Sequence, residues 1–189
     1  MDFDKIVAGA RMLIEGIGGD ASSDGLVDTP ERVAMMWKNF LVPVEISDGE
    51  LLNRSFLAEN YGDFVIVRNI RFSSFCEHHL LPFFGRVHVA YVPQGGTVVG
   101  ISKLIRVVDK FSKRLQLQER LSQQILNAIA EGTANGGVLV IVCARHMCVA
   151  ARGVLQPDSE TITRATSGRF STDNGLVAEA QQLIFGASE

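Results

Sequence analysis

The fold of this chain can be inferred outward from residues 63–92, DFVIVRNIRFSSFCEHHLLPFFGRVHVAYV. In Asp63–Phe72 the large apolar side chains share one parity, and in Arg86–Val92 valine and tyrosine alternate with other residues. Such alternation is typical of a β-strand that buries one face. Between the two runs stands Cys-Glu-His-His, residues 76–79, which combines thiol and imidazole groups. The segment therefore predicts two strands with a group of potential metal ligands between them.

Helical patterns precede this segment. Apolar residues form a broad pattern over residues 3–17, which ends at two glycines. A second helix is expected to begin at Asp28 or Thr29, either of which suits an N-cap, with Pro30 in its first turn. A shorter helix is expected over Glu50–Ala58.

Two further helices and several strands are expected downstream. Apolar residues recur at helical spacing in two stripes, first Ile101, Leu104, Ile105, Val108 and Phe111, then Leu117, Leu121, Ile125 and Ile129. The run Val138–Cys143 predicts a strand, and Cys148–Leu155 is expected to be its partner. Thr161–Thr166 is expected to add a strand and Gly175–Phe185 a last helix.

This order of elements indicates the fold class. Like elements follow one another in runs, which favours an α+β fold with an antiparallel sheet over alternating βαβ units. We expect an N-terminal helical extension over residues 1–60 and a domain built on the sheet over residues 61–189, which together form one structural unit.

Composition excludes several classes of protein. The 189 residues are 47% hydrophobic and 21% charged, with a net charge of −3, so neither disorder nor a nucleic-acid partner is expected. No apolar run approaches the roughly 20 residues of a membrane span, so no membrane partner is expected. The N-terminus lacks the basic start and apolar core of a signal peptide, which makes the cytoplasm the expected location.

The chemistry of the chain is concentrated in two short clusters. The chain has only three cysteines and four histidines, and five of these seven residues are Cys76, His78, His79, His146 and Cys148. Thiolate and imidazole together favour zinc. Five candidate ligands leave two interpretations open: a structural site with four protein ligands, or a catalytic site with three ligands and a water.

Two observations favour catalysis. Adjacent His78 and His79 tend to point in different directions, so one of them remains free for proton transfer. If a strand runs through residues 146–148, His146 and Cys148 lie on the same face and both reach the site. Cys143 and His88 are interpreted instead as buried structural residues.

Five segments resemble GTP cyclohydrolase I, in the order in which that family carries them. They are Asp28-Thr29-Pro30-Glu31-Arg32, then residues 74–83 (SFCEHHLLPF), residues 100–106 (GISKLIR), residues 114–121 (RLQLQERL) and residues 146–154 (HMCVAARGV). The family converts GTP to 7,8-dihydroneopterin triphosphate and formate, the entry step to folate and other pterins. Five motifs in order are far more specific than any one of them.

The resemblance implies a catalytic metal site. It places zinc on Cys76, His79 and Cys148, where the ion activates a water for attack on C-8 of guanine. It makes His146 the proton donor to the purine nitrogen beside C-8, and His78 the group for proton transfers at the ribose. Ser102 and Gln118 match catalytic positions near the sugar.

The resemblance also implies substrate contacts. Glu119 matches the carboxylate that accepts from the adjacent N–H groups of guanine, a donor pair that adenine lacks. Lys103, Arg106 and Arg152 match triphosphate ligands, and Arg32 matches one supplied across a subunit contact.

The family fold is the tunnelling fold, an antiparallel four-stranded sheet with two helices on one face, preceded by helices. Its members are toroidal homodecamers with sites between subunits, so a homo-oligomer is expected. Two other functions remain open: a tunnelling-fold relative that acts on another purine or pterin, and a non-catalytic module that binds zinc or GTP.

Overall fold

The computed structural model describes residues 1–41, 52, 55–57, 61–94, 97–134 and 136–186. The chain divides into two compact units, Met1–Val42 and Pro43–Glu189. The first unit contains two helices, α1 (Phe3–Gly16) and α2 (Thr29–Phe40). The elements of the second unit follow in chain order: β1 (Ser55–Leu57), β2 (Val65–Cys76), β3 (Pro82–Tyr91), β4 (Thr97–Val99), α3 (Ile101–Ser112), β5 (Leu115–Gln116), α4 (Gln118–Gly132), β6 (Gly137–His146), α5 (Met147–Ala150), β7 (Thr161–Gly168), α6 (Arg169–Thr172) and α7 (Asn174–Phe185).

Helices α1 and α2 pack against each other within the first unit. Asp2 caps α1, since its carboxylate accepts from the backbone N–H of Lys5 at 3.1 Å. Pro30 stands in the first turn of α2, as the sequence predicts. Asp28 precedes that helix, but its carboxylate accepts from the Arg32 guanidinium at 3.0 Å and makes no cap hydrogen bond.

A five-stranded sheet forms the centre of the second unit, in the order β5-β2-β3-β6-β7. Four of its strands, β2, β3, β6 and β7, are antiparallel neighbours, which confirms the predicted α+β fold and its four-stranded antiparallel sheet. The two residues of β5 add a short parallel pairing at the end of β2. Strands β1 and β4 form a separate two-stranded sheet, which the sequence pattern did not predict.

Helices α3 and α4 cover one face of the five-stranded sheet. Val138, Val140 and Val142 of β6 belong to the apolar core on that face, together with Leu104 of α3 and Ile125 of α4. This arrangement confirms the expectation of two helices on one face.

A second apolar core lies on the opposite face of the sheet. There the alternate β6 residues Leu139, Ile141 and Cys143 pack with Val177 and Ile184 of α7. Strand β6 is therefore buried on both faces, which explains why its apolar run is continuous rather than alternating.

Two predictions about secondary structure are wrong. Cys148–Leu155 is not a strand: residues 147–150 form the helix α5, a turn follows, and β6 pairs with β3 and β7 instead. The helix expected over Glu50–Ala58 is contradicted at Ser55–Leu57, which forms β1, and most of its remaining residues lie outside the described part of the chain.

The buried face of α3 is rotated about the helix axis relative to the predicted apolar stripe. Leu104, Val108 and Phe111 are buried, but Ile101 is 60% exposed and Ile105 is 45% exposed. The buried face is completed instead by Val107.

The predicted boundary at residues 60/61 stays a prediction, because much of the segment before it lies outside the described residues. Among the described residues, no helix is both long and apolar enough to cross a bilayer.

Candidate active site

A tight turn between β2 and β3 brings Cys76 and His79 together. The Cys76 N–H donates to the Leu81 carbonyl at 2.9 Å, and the Leu80 N–H donates to the Cys76 carbonyl at 2.9 Å. Leu80 adopts a positive φ of 54°, which reverses the chain before β3 begins. As a result, Cys76 Sγ lies 3.9 Å from Nδ1 of His79.

Cys148 reaches this turn from the far end of β6. The register of β3 with β6 sets Phe83 opposite His146, so the end of β6 lies beside the turn that carries Cys76. Cys148 follows in α5, and the ligand atoms of Cys76, His79 and Cys148 all lie within 4.8 Å of one another. The sequence analysis expected Cys148 to approach His79 and Cys76 from a strand, whereas the chain brings it there from a helix.

The electrostatics of the three residues suit a divalent cation. Burial raises the pKa of the Cys148 thiol, and the neighbouring Cys76 raises that pKa further, against a smaller opposing effect of Arg152. A cation between the two sulfurs would remove this penalty, because metal ligation requires thiolates. Two thiolates and one imidazole form a donor set that fits zinc or a similar borderline-soft ion.

A cavity of about 230 Å³ opens beside the three ligands. Its walls carry ionisable and amide side chains from β2, β6 and the start of α4. The lining residues are Cys76, His78, His79, Gln116, Leu117, Gln118, Glu119, His146, Cys148, Val149 and Thr161. Seven predicted site residues thus share one cavity.

Gln118 fixes the orientation of His146. Its amide nitrogen donates to the carbonyls of Val142 and Thr161, at 3.0 Å and 2.9 Å. Its amide oxygen therefore faces His146 and lies 2.7 Å from Nε2. Because an amide oxygen only accepts, Nε2 of His146 must carry the proton, and in the neutral ring Nδ1 is the free acceptor.

The surroundings of His146 also favour its neutral form. Burial lowers the pKa of His146, against a smaller raising effect of the Glu119 carboxylate. Its ring stacks on Phe83, with centroids 4.6 Å apart and planes inclined by 4°. Phe83 is fully buried, so the imidazole rests on a rigid support.

Five predicted residues are not among those that line this cavity. Ser102, Lys103 and Arg106 lie in the first two turns of α3. Arg152 is exposed in the turn after α5, but its charge still lowers the pKa of Cys148. Arg32 lies in the first unit and pairs with Asp28.

The sequence analysis assigned no role to several residues that support the site. Thr163 accepts from the Gln118 amide at 3.2 Å, and Phe83 supports His146. Phe83 stands within one of the five motifs, but only the strand register reveals what it contacts. Cys143 and His88 are buried, as their structural interpretation predicts.

Comparison with known proteins identifies the family of this chain. The family model described as GTP cyclohydrolase I matches residues 6–185. Proteins named GTP cyclohydrolase 1 are similar over 97% of the chain: the one from Carboxydothermus hydrogenoformans is 48% identical with 95% of its length covered, and that from Brevibacillus brevis is 45% identical with 98% covered. The protein of that name from Clostridioides difficile is 44% identical, with 97% covered. Since the family model spans residues 6–185 and these relatives are 44–48% identical over 97% of the chain, the chain belongs to the GTP cyclohydrolase I family.

Proposed function

We propose that this protein is a zinc-dependent GTP cyclohydrolase that converts GTP and one net water to 7,8-dihydroneopterin triphosphate and formate. The reaction would supply folate and pterin synthesis. The observation that carries the proposal is the cavity where Cys76, His79 and Cys148 meet His146 and Glu119. Family membership supports the same reaction.

One zinc ion per subunit is the proposed cofactor, held by Cys76, His79 and Cys148. When bound by three protein ligands, zinc lowers the pKa of a water in its open position and so supplies a nucleophile at neutral pH. The remaining residues of the cavity bind the base and move protons.

Glu119 is the proposed anchor for guanine. It stands in the first turn of α4, is exposed and lines the cavity. Its two carboxylate oxygens match the adjacent donors N1–H and the exocyclic amine, which adenine does not present together. Substrate choice between GTP and ATP therefore rests on this side chain.

His146 and His78 are the proposed proton-transfer groups. With Nε2–H held by Gln118, Nδ1 of the neutral His146 ring is an acceptor, so it would first take a proton from the attacking water and then pass that proton to the purine nitrogen beside C-8. Gln118 then acts through His146 rather than directly on the sugar. His78 is exposed at the cavity wall, which leaves its imidazole available for the ribose steps, and Ser102 is proposed to contact the sugar.

Lys103, Arg106, Arg152 and Arg32 are the proposed ligands of the triphosphate. A triphosphate carries three to four negative charges, so several cations are required. Ser102 and Arg106 are exposed on α3, which is consistent with sites completed between subunits. We propose a homo-oligomer, a toroidal decamer as in the family.

A cytoplasmic location is proposed with this function. The cytoplasm supplies GTP and keeps thiols reduced, which Cys76 and Cys148 need in order to ligate a metal.

The test is incubation of the zinc-loaded protein with GTP and, in parallel, with ATP. We expect formate and a new dihydropterin absorbance from GTP alone. Equal turnover of ATP would contradict the role of Glu119 and indicate a relative with another substrate. Absence of formate from folded, zinc-loaded protein would refute the proposed reaction.

Removal of the metal provides a second test. Chelation should abolish formate release, and added zinc should restore it. Zinc content should fall in acid, because protons compete for the thiols of Cys76 and Cys148. Full zinc content at strongly acid pH, measured by metal analysis, would contradict thiolate ligation.

A further inference from the structure

Glu77 stands between the ligands of the metal turn, but its side chain contacts another element. Its carboxylate accepts a hydrogen bond from the guanidinium of Arg120, in the first turn of α4. The two side chains are only partly exposed, at 33% for Glu77 and 41% for Arg120. The pair joins the turn of Cys76 and His79 to the helix that carries Glu119.

Arg120 is held in place by more than this ion pair. Its Nε donates to the side-chain oxygen of Gln116 at 3.0 Å, and Nη2 also donates to the carbonyl of Leu115 at 3.2 Å. A planar guanidinium with several acceptors has little freedom to turn toward another partner.

Gln116 is itself fixed, so the network has a rigid base. It is 1% exposed, and its amide nitrogen donates to the Phe111 carbonyl at 2.9 Å and to the Gln124 side chain at 2.7 Å. Its own carbonyl accepts from the Glu77 N–H at 3.1 Å. Glu77 is therefore tied through its backbone to β5, just before α4, and through its side chain to α4 itself.

The position of this network matters because the site has two halves. The end of β2 and the turn after it supply Cys76 and His79, whereas the first turn of α4 supplies Glu119 and Gln118. Reaction at guanine requires the base bound by Glu119 to lie at a fixed distance from the metal bound by Cys76 and His79. Misplacement by about 1 Å can cost about 100-fold in rate.

We propose that Glu77 and Arg120 are a positioning pair that holds the metal turn in register with the base-binding turn of α4. The proposal rests on the proposed metal site and assigns the pair no contact with substrate. A partly exposed ion pair contributes little to global stability. Its effect should therefore be seen in the geometry of the site rather than in the melting temperature.

Cobalt binding gives a readout that does not depend on turnover. Co²⁺ bound by two thiolates and one imidazole absorbs visible light with bands that report ligand geometry. The variants are Glu77→Gln, Arg120→Gln, their double mutant and Arg120→Lys. Asp109→Asn is the matched control, because it removes an ion pair, with Lys113 at 3.9 Å, that shares no side chain with the network of Glu77, Arg120 and Gln116.

We expect Glu77→Gln and Arg120→Gln each to lower Co²⁺ affinity about 10- to 100-fold, as loss of an outer partner of a metal site does. The cobalt bands should shift, and kcat for GTP should fall more than KM rises. The double mutant should lose no more than either single variant, because both break one interaction. Arg120→Lys should be intermediate, and Asp109→Asn should match the wild type.

Three outcomes would overturn the proposal. Wild-type cobalt spectra and kcat in both single variants would remove its basis. A raised KM in Arg120→Gln alone, with an unchanged spectrum, would make Arg120 a substrate ligand instead. If the unmodified protein binds no Co²⁺, or if Cys148→Ser leaves its spectrum unchanged, the metal site itself is wrongly assigned and the positioning role falls with it.

Discussion

At the scale of single residues, the contacts of His146 determine which of its two ring nitrogens can exchange a proton. Its Nε2–H is held by Gln118, its ring is stacked on Phe83, and burial favours its neutral form. A group in this setting is suited to exchange a proton at Nδ1 near neutral pH.

Substitution of His146 should separate catalysis from metal binding. His146→Ala should lower kcat about 10²- to 10⁴-fold, the usual contribution of a general acid or base. Zinc content should remain at one per subunit, because the proposed ligands are Cys76, His79 and Cys148. Gln118→Leu should lower kcat less, about 10- to 100-fold by analogy with outer partners of metal-bound histidines. Zinc loss in His146→Ala, measured by metal analysis, would contradict the ligand assignment.

His88 should make the stability of the protein depend on pH. It is 4% exposed, its Nδ1 accepts from the Asn69 N–H at 3.3 Å, and its pKa is lowered from 6.5 by burial and then by Arg86 and Arg68. The folded state thus resists protonation of this ring. Above about pH 6.5 the ring is neutral in both the folded and the unfolded chain, so it does not change the free energy of unfolding. Below that value the unfolded chain takes up a proton more readily than the folded chain, and the free energy of unfolding falls.

Comparison of the wild type with His88→Gln isolates this effect. The variant should be less stable at pH 7.5, because it repacks a buried site against Phe185. The difference in free energy of unfolding between the two proteins should narrow as pH falls to 5. Only the wild type is destabilised in acid by the resistance of His88 to protonation. Urea unfolding at several pH values measures it. A difference in free energy of unfolding that stays constant with pH would contradict a role of His88 in the pH dependence.

At the scale of elements, the close approach of β3 and β6 depends on Gly85. A Cβ built there would lie 1.9 Å from the Cys143 carbonyl oxygen and 2.8 Å from Cα of Ala144, both backbone atoms that cannot move aside. The same pairing sets His146 opposite Phe83 two residues further along. Gly85 thus maintains the register that assembles the site.

Gly85→Ala should therefore destabilise the protein by several kcal/mol, more than about 4 kcal/mol if the strands cannot separate. Gly9→Ala is the matched control, since a Cβ in α1 would meet no atom within 4 Å. That change should stabilise its helix by about 0.5–1 kcal/mol. Thermal unfolding of both variants tests the contrast. Equal melting temperatures would show that the sheet accommodates a methyl group at residue 85.

At the scale of the whole molecule, the proposed site needs Arg32 from one subunit and His146 from another. Arg32→Ala and His146→Ala should each be inactive alone. When the two variants are mixed in equal amounts and assemble at random, up to about one quarter of the sites should be restored. An intact site needs the His146→Ala chain on the side that supplies Arg32 and the Arg32→Ala chain on the side that supplies His146. Formate release from the co-refolded mixture measures the recovery.

A second mixture controls for nonspecific recovery. His146 and Glu119 line the same cavity of one chain, so His146→Ala mixed with Glu119→Gln should regain no activity. Recovery in this control, or none in the Arg32 mixture although both variants assemble, would contradict sites shared between subunits.

Much of this molecule follows from local sequence. Alternation over residues 63–92 predicted β2 and β3, and Cys76 and His79 stand so close in the chain that one turn brings them together. The five motifs predicted the family, which the comparisons confirm. These features depend on contacts within a few residues, or on residue identity alone.

Tertiary structure decided what depends on long-range register. The chain after His146 forms a helix and not a strand, and both edges of β6 are paired by distant segments, β3 and β7. The buried face of α3 includes Val107 and leaves Ile101 exposed, since the sheet beneath it, and not the helical period alone, selects the contact face. The hydrogen bond from His146 to Gln118 joins residues 28 positions apart, a pairing that no local pattern encodes, because only the packing of α4 on β6 and β7 brings the two side chains within reach.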